Sequence, residues 1–507
     1  MEALAGLFYG LGITFQPQNL FFCFVGCFVG TLVGVLPGLG PGGALALLLP
    51  VTFALPPATA IIMLAGIYYG AMYGGSTTSI LINIPGEAAS VVTCLDGYQM
   101  ARKGRAGPAL GMAAIASFIA GTISLFGLLF LAPPFANFAL KFASPEYVSL
   151  ILCGLILVSF LGSGSRLKAF MMGALGLLLG TIGTDPIEGM ERFAFKVPYL
   201  MDGLGLIPVI MGLFGISEIF ANLEEEEFRG ILTEKIKNLF PTLRDWKDSA
   251  WPIVRGTVVG FFVGVIPGGN TVISSAMSYA LEKKISKHPE KFGTGIIEGV
   301  AAPESANNSG PSGSFIPLLS LGIPTNSTMA LLLASLMIHG VTPGPFLISQ
   351  NPDVFWSVIA SMYIGNLMLL ALNLPLVGLW VQVIKVPYAY FFPVIFLFCL
   401  LGSYSIGTTV FDIGVMIVFG IFGFLMKKYS YESTPLILAF ILGPMFEEHF
   451  RRSLVLSFGS FGIFFERPIS AAFLGLATLL LAASLVGPLI KKKKPVLENP
   501  INKGGVR

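Results

Sequence analysis

The stretch Gly30-Thr31-Leu32-Val33-Gly34-Val35-Leu36-Pro37-Gly38 is answered far along the chain by Gly260-Phe261-Phe262-Val263-Gly264-Val265-Ile266-Pro267-Gly268, with seven of nine positions identical or conservatively matched. Self-similarity of this kind marks an architecture built from related units. After more apolar sequence, each copy is followed by a second polar, glycine-rich element that ends in an Ile-Pro step. Tyr73-Gly74-Gly75-Ser76-Thr77-Thr78 leads to Ile84-Pro85-Gly86, and Asn307-Asn308-Ser309-Gly310-Pro311-Ser312-Gly313-Ser314 leads to Ile323-Pro324-Thr325. The chain therefore reads as two related halves, 1–221 and 251–490. A charged amphipathic connector at 222–250 joins them, and a basic tail at 491–507 follows.

What surrounds these elements is membrane sequence. The 507 residues are 54% hydrophobic and only 11% charged, with a mean hydropathy of +0.82, whereas a soluble domain carries about 25% charged residues. Apolar runs long enough to cross a hydrocarbon core about 30 Å thick recur throughout. They predict an all-α polytopic membrane protein with about 11–12 transmembrane helices. The 61 glycines and 34 prolines predict that some of these helices are discontinuous, forming re-entrant hairpins where protein or water satisfies the freed backbone groups. The five cysteines are scattered in apolar segments and read as small core residues. The N-terminus lacks the basic region of a signal peptide.

The placement of Lys and Arg orients the halves. No basic residue precedes Arg102, so the loop after Leu36-Pro37-Gly38 is uncharged, while the loop after Ile84-Pro85-Gly86 carries Arg102, Lys103 and Arg105. In the second half the order reverses: Lys283, Lys284, Lys287 and Lys291 follow Ile266-Pro267-Gly268, and none appears again until Lys385. By the positive-inside rule, equivalent loops then face opposite sides of the membrane. Two inverted-topology repeats with helices broken at matched positions point to a secondary transporter whose site lies near mid-membrane, where the repeats meet. The connector, Lys427/Lys428 and Lys491–Lys494 are expected on the cytoplasmic side.

Broken helices expose N–H donors and carry partial positive charge at their starts, while unwound carbonyls and hydroxyls suit a small hard cation. Pro85 and Pro324 fall where a first helical turn is expected to begin. The anion-binding candidates are Ser76, Thr77, Thr78, Asn83, Pro85, Gly86, Asn307, Asn308, Ser309, Ser312, Pro324, Thr325 and Asn326. The cation or coupling candidates are Gly38, Gly40, Gly42, Gly268, Gly269, Asn270 and Glu304, with Na⁺ the one metal ion expected. Close helix packing explains single small polar residues equally well, while the clusters Ser76–Ser79 and Asn307–Ser314 read as functional. None of the four motif regions holds Lys or Arg, so a bound anion must be balanced by helix ends, by neutral donors and by co-bound Na⁺ or H⁺.

Intramembrane acids are costly and draw functional suspicion. Glu87 reads either as a carboxylate complementing a helix N-terminus or as a cation site. Glu304 reads as a coupling residue, and Asp96 as a cap or pair near the surface. His288 and His339 read as solvated or packing residues. Gly38-Leu39-Gly40-Pro41-Gly42-Gly43 has the G-x-G-x-x-G spacing but no preceding strand, so dinucleotide binding is excluded. No Walker loop, His/Cys metal cluster or nucleophile–base pair is present in the sequence. The expectation is no enzyme, no cofactor and no nucleic-acid partner.

Several longer motifs carry a family resemblance: Gly34 through Gly42, Tyr69 through Thr77, Asn83-Ile84-Pro85-Gly86-Glu87-Ala88, Asp96-Gly97-Tyr98, and Gly299 through Asn308. Over about residues 20–465 the chain resembles the large membrane subunit of tripartite tricarboxylate transporters. The resemblance implies import of a small di- or tricarboxylate across the bacterial inner membrane, driven by a Na⁺ or H⁺ gradient. It also implies a small four-helix membrane subunit and a periplasmic solute-binding protein as partners, with an elevator-like motion. A homodimer of the large subunit is a further expectation. An ion channel or passive anion pore is the alternative. Where relatives carry Ile-Pro-Gly in the second half, this chain has Ile323-Pro324-Thr325-Asn326, which leaves the choice of carboxylate open.

Overall fold

The computed structural model describes residues 2–490 except 37, 163, 186, 225–235, 237 and 387. Part of the connector, including Glu225, Glu226 and Glu227, and the basic tail 491–507 thus lie outside the described residues. The chain is helical almost throughout. One antiparallel pair of two-residue strands, β1 (Gly183–Thr184) and β2 (Glu191–Arg192), closes a surface hairpin.

The first half runs through α1 (Glu2–Thr14), α2 (Pro17–Val35), α3 (Gly40–Leu48), α4 (Pro57–Ile82), α5 (Ala106–Ala139), α6 (Ser144–Leu161), α7 (Arg166–Gly180) and α8 (Leu206–Leu223). The second runs through α9 (Leu243–Val265), α10 (Thr271–Ile285), α11 (Glu298–Leu321), α12 (Ser327–Ile338), α13 (Pro352–Asn373), α14 (Val377–Ile384), α15 (Tyr388–Gly407), α16 (Val410–Lys428), α17 (Ser433–Leu456) and α18 (Pro468–Ile490). Among the described residues, seven helices are long and apolar enough to cross a membrane, accompanied by four shorter apolar ones. α9, α11 and α17 have comparable length but carry charges or the Ser/Asn/Pro run. Exposed Phe126, Phe130, Leu397, Leu401, Val418 and Ile421 coat the outside of α5, α15 and α16, as a surface facing lipid requires. This is an all-α, multi-pass membrane protein.

The helices break where proline and glycine dictate. α2 and α9 stop at Val35 and Val265 because the next residue precedes a proline and is forced extended: Leu36 has φ −90° and ψ 109°, Ile266 φ −81° and ψ 128°. Gly38 (φ +98°) and Gly268 (φ +81°) then turn the chain through the left-handed region. The second pair of breaks also matches. Asn83 (φ 58°) caps α4 and Gly322 (φ 70°) caps α11, both left-handed. The next helical runs start at Ala88 and Ser327 rather than at the prolines. Pro85 and Pro324 thus lie in the linkers, and the residues that open the new turns are Glu87 and Asn326.

The repeat extends to packing. In the first half a Cβ on Gly26, Gly30 or Gly34 would collide with the carbonyl of Met63, Ile67 or Ala71; in the second, one on Gly256, Gly260 or Gly264 would collide with that of Ala302, Ala306 or Gly310. Two helix pairs, α2 on α4 and α9 on α11, are thus pressed backbone to backbone in the same register, the use small residues serve in membranes. α4 is buried at every position from Thr59 to Ile82, and α11 from Gly299 to Ser320. The halves also interlock reciprocally: α11 lies on α5 and α13 on α4, α12 on α3 and α10 on residues 88–90, α17 on α7 and α16 on α8.

Candidate functional site

Interlocking brings the four broken segments together. The starts of α3, α10 and α12 and of the run at 88–105 line one cavity of about 260 Å³. Its floor includes Gly40, Pro41, Gly42 and Gly43 from α3 and Asn270, Thr271 and Val272 from α10. Glu87 and Ala88 meet Thr325, Asn326, Ser327 and Thr328 across it, with Tyr68, Met72, Val158 and Phe214 as walls.

Three of the four helix starts are closed by a side chain. The Glu87 carboxylate accepts a hydrogen bond from the Ala89 N–H at 2.7 Å, Asn270 from the Ile273 N–H at 2.9 Å, and Asn326 from the Met329 N–H at 3.0 Å. The fourth, α3, begins after Leu39 with no side-chain cap. A Cβ on Gly40 would meet nothing within 4 Å, and one on Gly42 only the Phe214 ring at 3.7 Å. The start of α3 is therefore uncapped and bordered by free space at Gly40 and Gly42, and it carries the partial positive charge of a helix start.

No Lys, Arg or His is among the lining residues, but three carboxylates are: Glu87, Glu218 and Glu432. Glu218 is ion-paired with Lys427, and Glu432 accepts the Gly164 N–H at 2.8 Å. Such a cavity can hold a small anion through helix starts, hydroxyls and amides.

Of the residues singled out from sequence, Gly40, Gly42, Gly268, Asn270, Thr325 and Asn326 line this cavity. Others sit in a packed polar belt beside it. Glu304, fully buried, accepts hydrogen bonds from Ser76 at 2.5 Å and from Thr93. Asn308 donates to Ser117 at 2.6 Å, and Ser312 shares hydrogen bonds with Tyr69 and Ser124. Ser76 and Thr77 border a space of about 10 Å³, room for a single water. Thr78 and Ser309 bond to carbonyls of their own helices. Asn83, Pro85, Gly86 and Pro324 shape the breaks, as Gly38 and Gly269 shape the other turns, a Cβ on Gly269 colliding with the Val263 carbonyl. Asn307 joins belt to cavity, its amide donating to Glu87 at 3.0 Å.

Tyr68, Thr271, Glu218, Glu432 and Thr434 also reach the cavity, unmarked by the sequence reading. Thr271 was legible as the match of Pro41, and Glu432-Ser433-Thr434 as a polar interruption after Lys427/Lys428. His339 bonds the Ser335 and Thr52 carbonyls, and His288 pairs with Glu290 at the surface.

The family model of the tripartite tricarboxylate transporter TctA family matches residues 20–438. This chain belongs to that family. TctA-family chains are membrane subunits of a transport system with further subunits, not enzymes. An uncharacterised 52.8 kDa protein of Agrobacterium vitis, from the TAR-I ttuC' 3' region, is 49% identical over 97% of this chain and 98% of its own length. An uncharacterised protein from the TAR-II ttuC' 3' region of the same organism is 48% identical over 46% of this chain and 97% of its own length. No solved structure matches.

Proposed function

We propose that this TctA-family chain carries a small di- or tricarboxylate across the bacterial inner membrane, coupled to a Na⁺ or H⁺ gradient. A periplasmic solute-binding protein delivers the substrate, and a small four-helix subunit completes the system. The supporting observation is the convergence of four helix starts, two from each half, on one cavity without a basic side chain. Residues 1–221 and 251–490 act as inverted repeats, with 222–250 and 491–507 on the cytoplasmic side. The matched glycine packing of α2/α4 and α9/α11 supports rigid hairpin units that move together, as an elevator-like motion needs. Two helix pairs locked backbone to backbone do not slide independently.

The test is uptake of labelled malate, succinate and citrate into proteoliposomes holding the complete system, under imposed Na⁺ or pH gradients. Accumulation that follows one gradient and ignores ATP is expected. ATP-driven uptake without a gradient, or passive conductance that ignores both gradients, would overturn the reading; the second outcome is that of a pore.

A further inference from the structure

Glu87 and Asn326 occupy the same place in the two halves. Each follows an Ile-Pro-X step, each opens a helical run, and each accepts a first-turn N–H, at 2.7 and 3.0 Å. Asn is among the best residues for this task and Glu is not, so the capping role needs no charge here. Yet Glu87 brings an ionisable carboxyl there while 4% exposed. Its carboxylate accepts hydrogen bonds from the Ala89 N–H and the Asn307 amide, and a capping box pairs it with the Ser90 backbone N–H while the Ser90 hydroxyl accepts the Glu87 N–H. Among the described residues, no salt bridge reaches it from Lys, Arg or His. A buried carboxylate without a cation is strongly unfavourable.

Two further features increase the deficit. Glu304, a second buried acid, lies on α11 one turn from Asn307, which bonds Glu87. Beside the Glu87 carboxylate the same Asn307 carboxamide leaves its oxygen, Oδ1, buried and without a hydrogen-bond partner. A carboxylate flanked by an orphaned amide oxygen is an oxygen-rich setting that suits a hard monovalent cation. Glu87 also borders the cavity in which the carboxylate substrate is proposed to sit. Two anions side by side at low dielectric repel, so each binds better once a cation has neutralised Glu87.

We propose that Glu87 is the carboxylate at which the coupling cation binds, and that this cation links gradient to cargo. The inference rests on the transport reading above. The coupling is reciprocal: cation at Glu87 raises affinity for the carboxylate, and carboxylate raises affinity for the cation by the same factor. The other titratable groups on the cavity are Tyr68 on α4, Glu218 on α8 and Glu432 ahead of α17, while Glu304 lies off it on α11, one turn from Asn307. Glu218 is paired with Lys427. The proton and Na⁺ are the two sources of this one charge.

The test compares wild type with Glu87→Gln, which keeps the cap and removes the charge, much as Asn326 does in the other half. In proteoliposomes, Glu87→Gln should lose gradient-driven accumulation of labelled malate or citrate by about tenfold or more relative to wild type. In detergent, the wild-type melting temperature should rise with Na⁺ at fixed pH, or with acid in Na⁺-free buffer, which tells the two cations apart. The melting temperature of Glu87→Gln should respond to neither. Wild-type accumulation or an unchanged cation response in Glu87→Gln overturns the assignment. The melting arm reads out even where the variant transports nothing. A wild type that accumulates no carboxylate would instead sink the transport reading, and the cation response would still judge Glu87.

Discussion

Asp96, in the first half, accepts a hydrogen bond of 2.8 Å from the hydroxyl of Tyr279, in the second. The same carboxylate accepts the backbone N–H groups of Gly293, Gly295 and Ile296 at 2.6–3.0 Å, so it fixes the loop that leads into α11. Asp96→Ala would leave three backbone donors and a hydroxyl without their acceptor. At 1–3 kcal/mol for each unsatisfied buried donor, with partial relief by water, a loss of about 3–5 kcal/mol is expected. Tyr279→Phe removes one bond and should cost about 1 kcal/mol. Thermal melting of the detergent-solubilised protein measures both, and equal losses would contradict the ordering.

The matched breaks differ in how much room they leave. A Cβ on Gly86 would collide with the Gly34 carbonyl and lie 2.7 Å from the Gly75 Cα, whereas the equivalent Thr325 fits, fully buried, with its carbonyl accepting the Gly268 N–H at 2.8 Å. Gly86→Ala should therefore cost about 3 kcal/mol or more through backbone overpacking and reduce folded yield. Thr325→Gly should fold and instead change which carboxylate is taken up, since it removes a hydroxyl from the cavity wall. Size-exclusion yield and substrate competition separate the two outcomes.

The breaks were legible in the sequence because Pro37, Pro267, Gly38 and Gly268 punctuate apolar helices and constrain the backbone whatever surrounds it. Which polar residues face the cavity was not. α4 and α11 are buried on every side, so no amphipathic face distinguishes Ser76, which bonds Glu304, from Tyr68, which reaches the cavity. Pro85 illustrates a second limit. Proline favours a first helical turn, but Gly86 is pressed against Gly34 and Gly75, and the new helical run begins three residues after Pro85, at Ala88. Asp96 illustrates a third: its partners at 293–296 come close only once the halves interlock.

At the surface hairpin, Asp185 accepts the Ile187 and Glu188 N–H groups and pairs with Arg451 at 2.9 Å. The Ile187 N–H is the largest influence. Burial opposes it, and the Glu188 N–H and Arg451 help hold the carboxyl below the usual Asp value of 3.8. A depressed carboxyl contributes stability that is present above its ordinary value and lost as pH falls through the folded one. Asp185→Asn should therefore melt lower than wild type near neutrality, with the gap closing as the pH drops below about 4. A gap that stays constant down to strong acid would show that Asp185 contributes no charge.

Glu304 offers the sharpest contrast with Glu87. Both are buried, but Glu304 does not line the cavity, and its partners Ser76 and Thr93 are hydroxyls on packed elements. Hydroxyls rotate and can accept as well as donate, so a neutral amide of the same shape satisfies them. Glu304→Gln should melt within about 1 kcal/mol of wild type and keep gradient-driven accumulation. Glu304→Ala opens a void and strands both hydroxyls, for a loss of about 2–5 kcal/mol. If Glu304→Gln lost accumulation while still exchanging substrate, the coupling charge would belong to α11 rather than to the break at Glu87. Run side by side, the two glutamine variants decide which acid moves with the gradient.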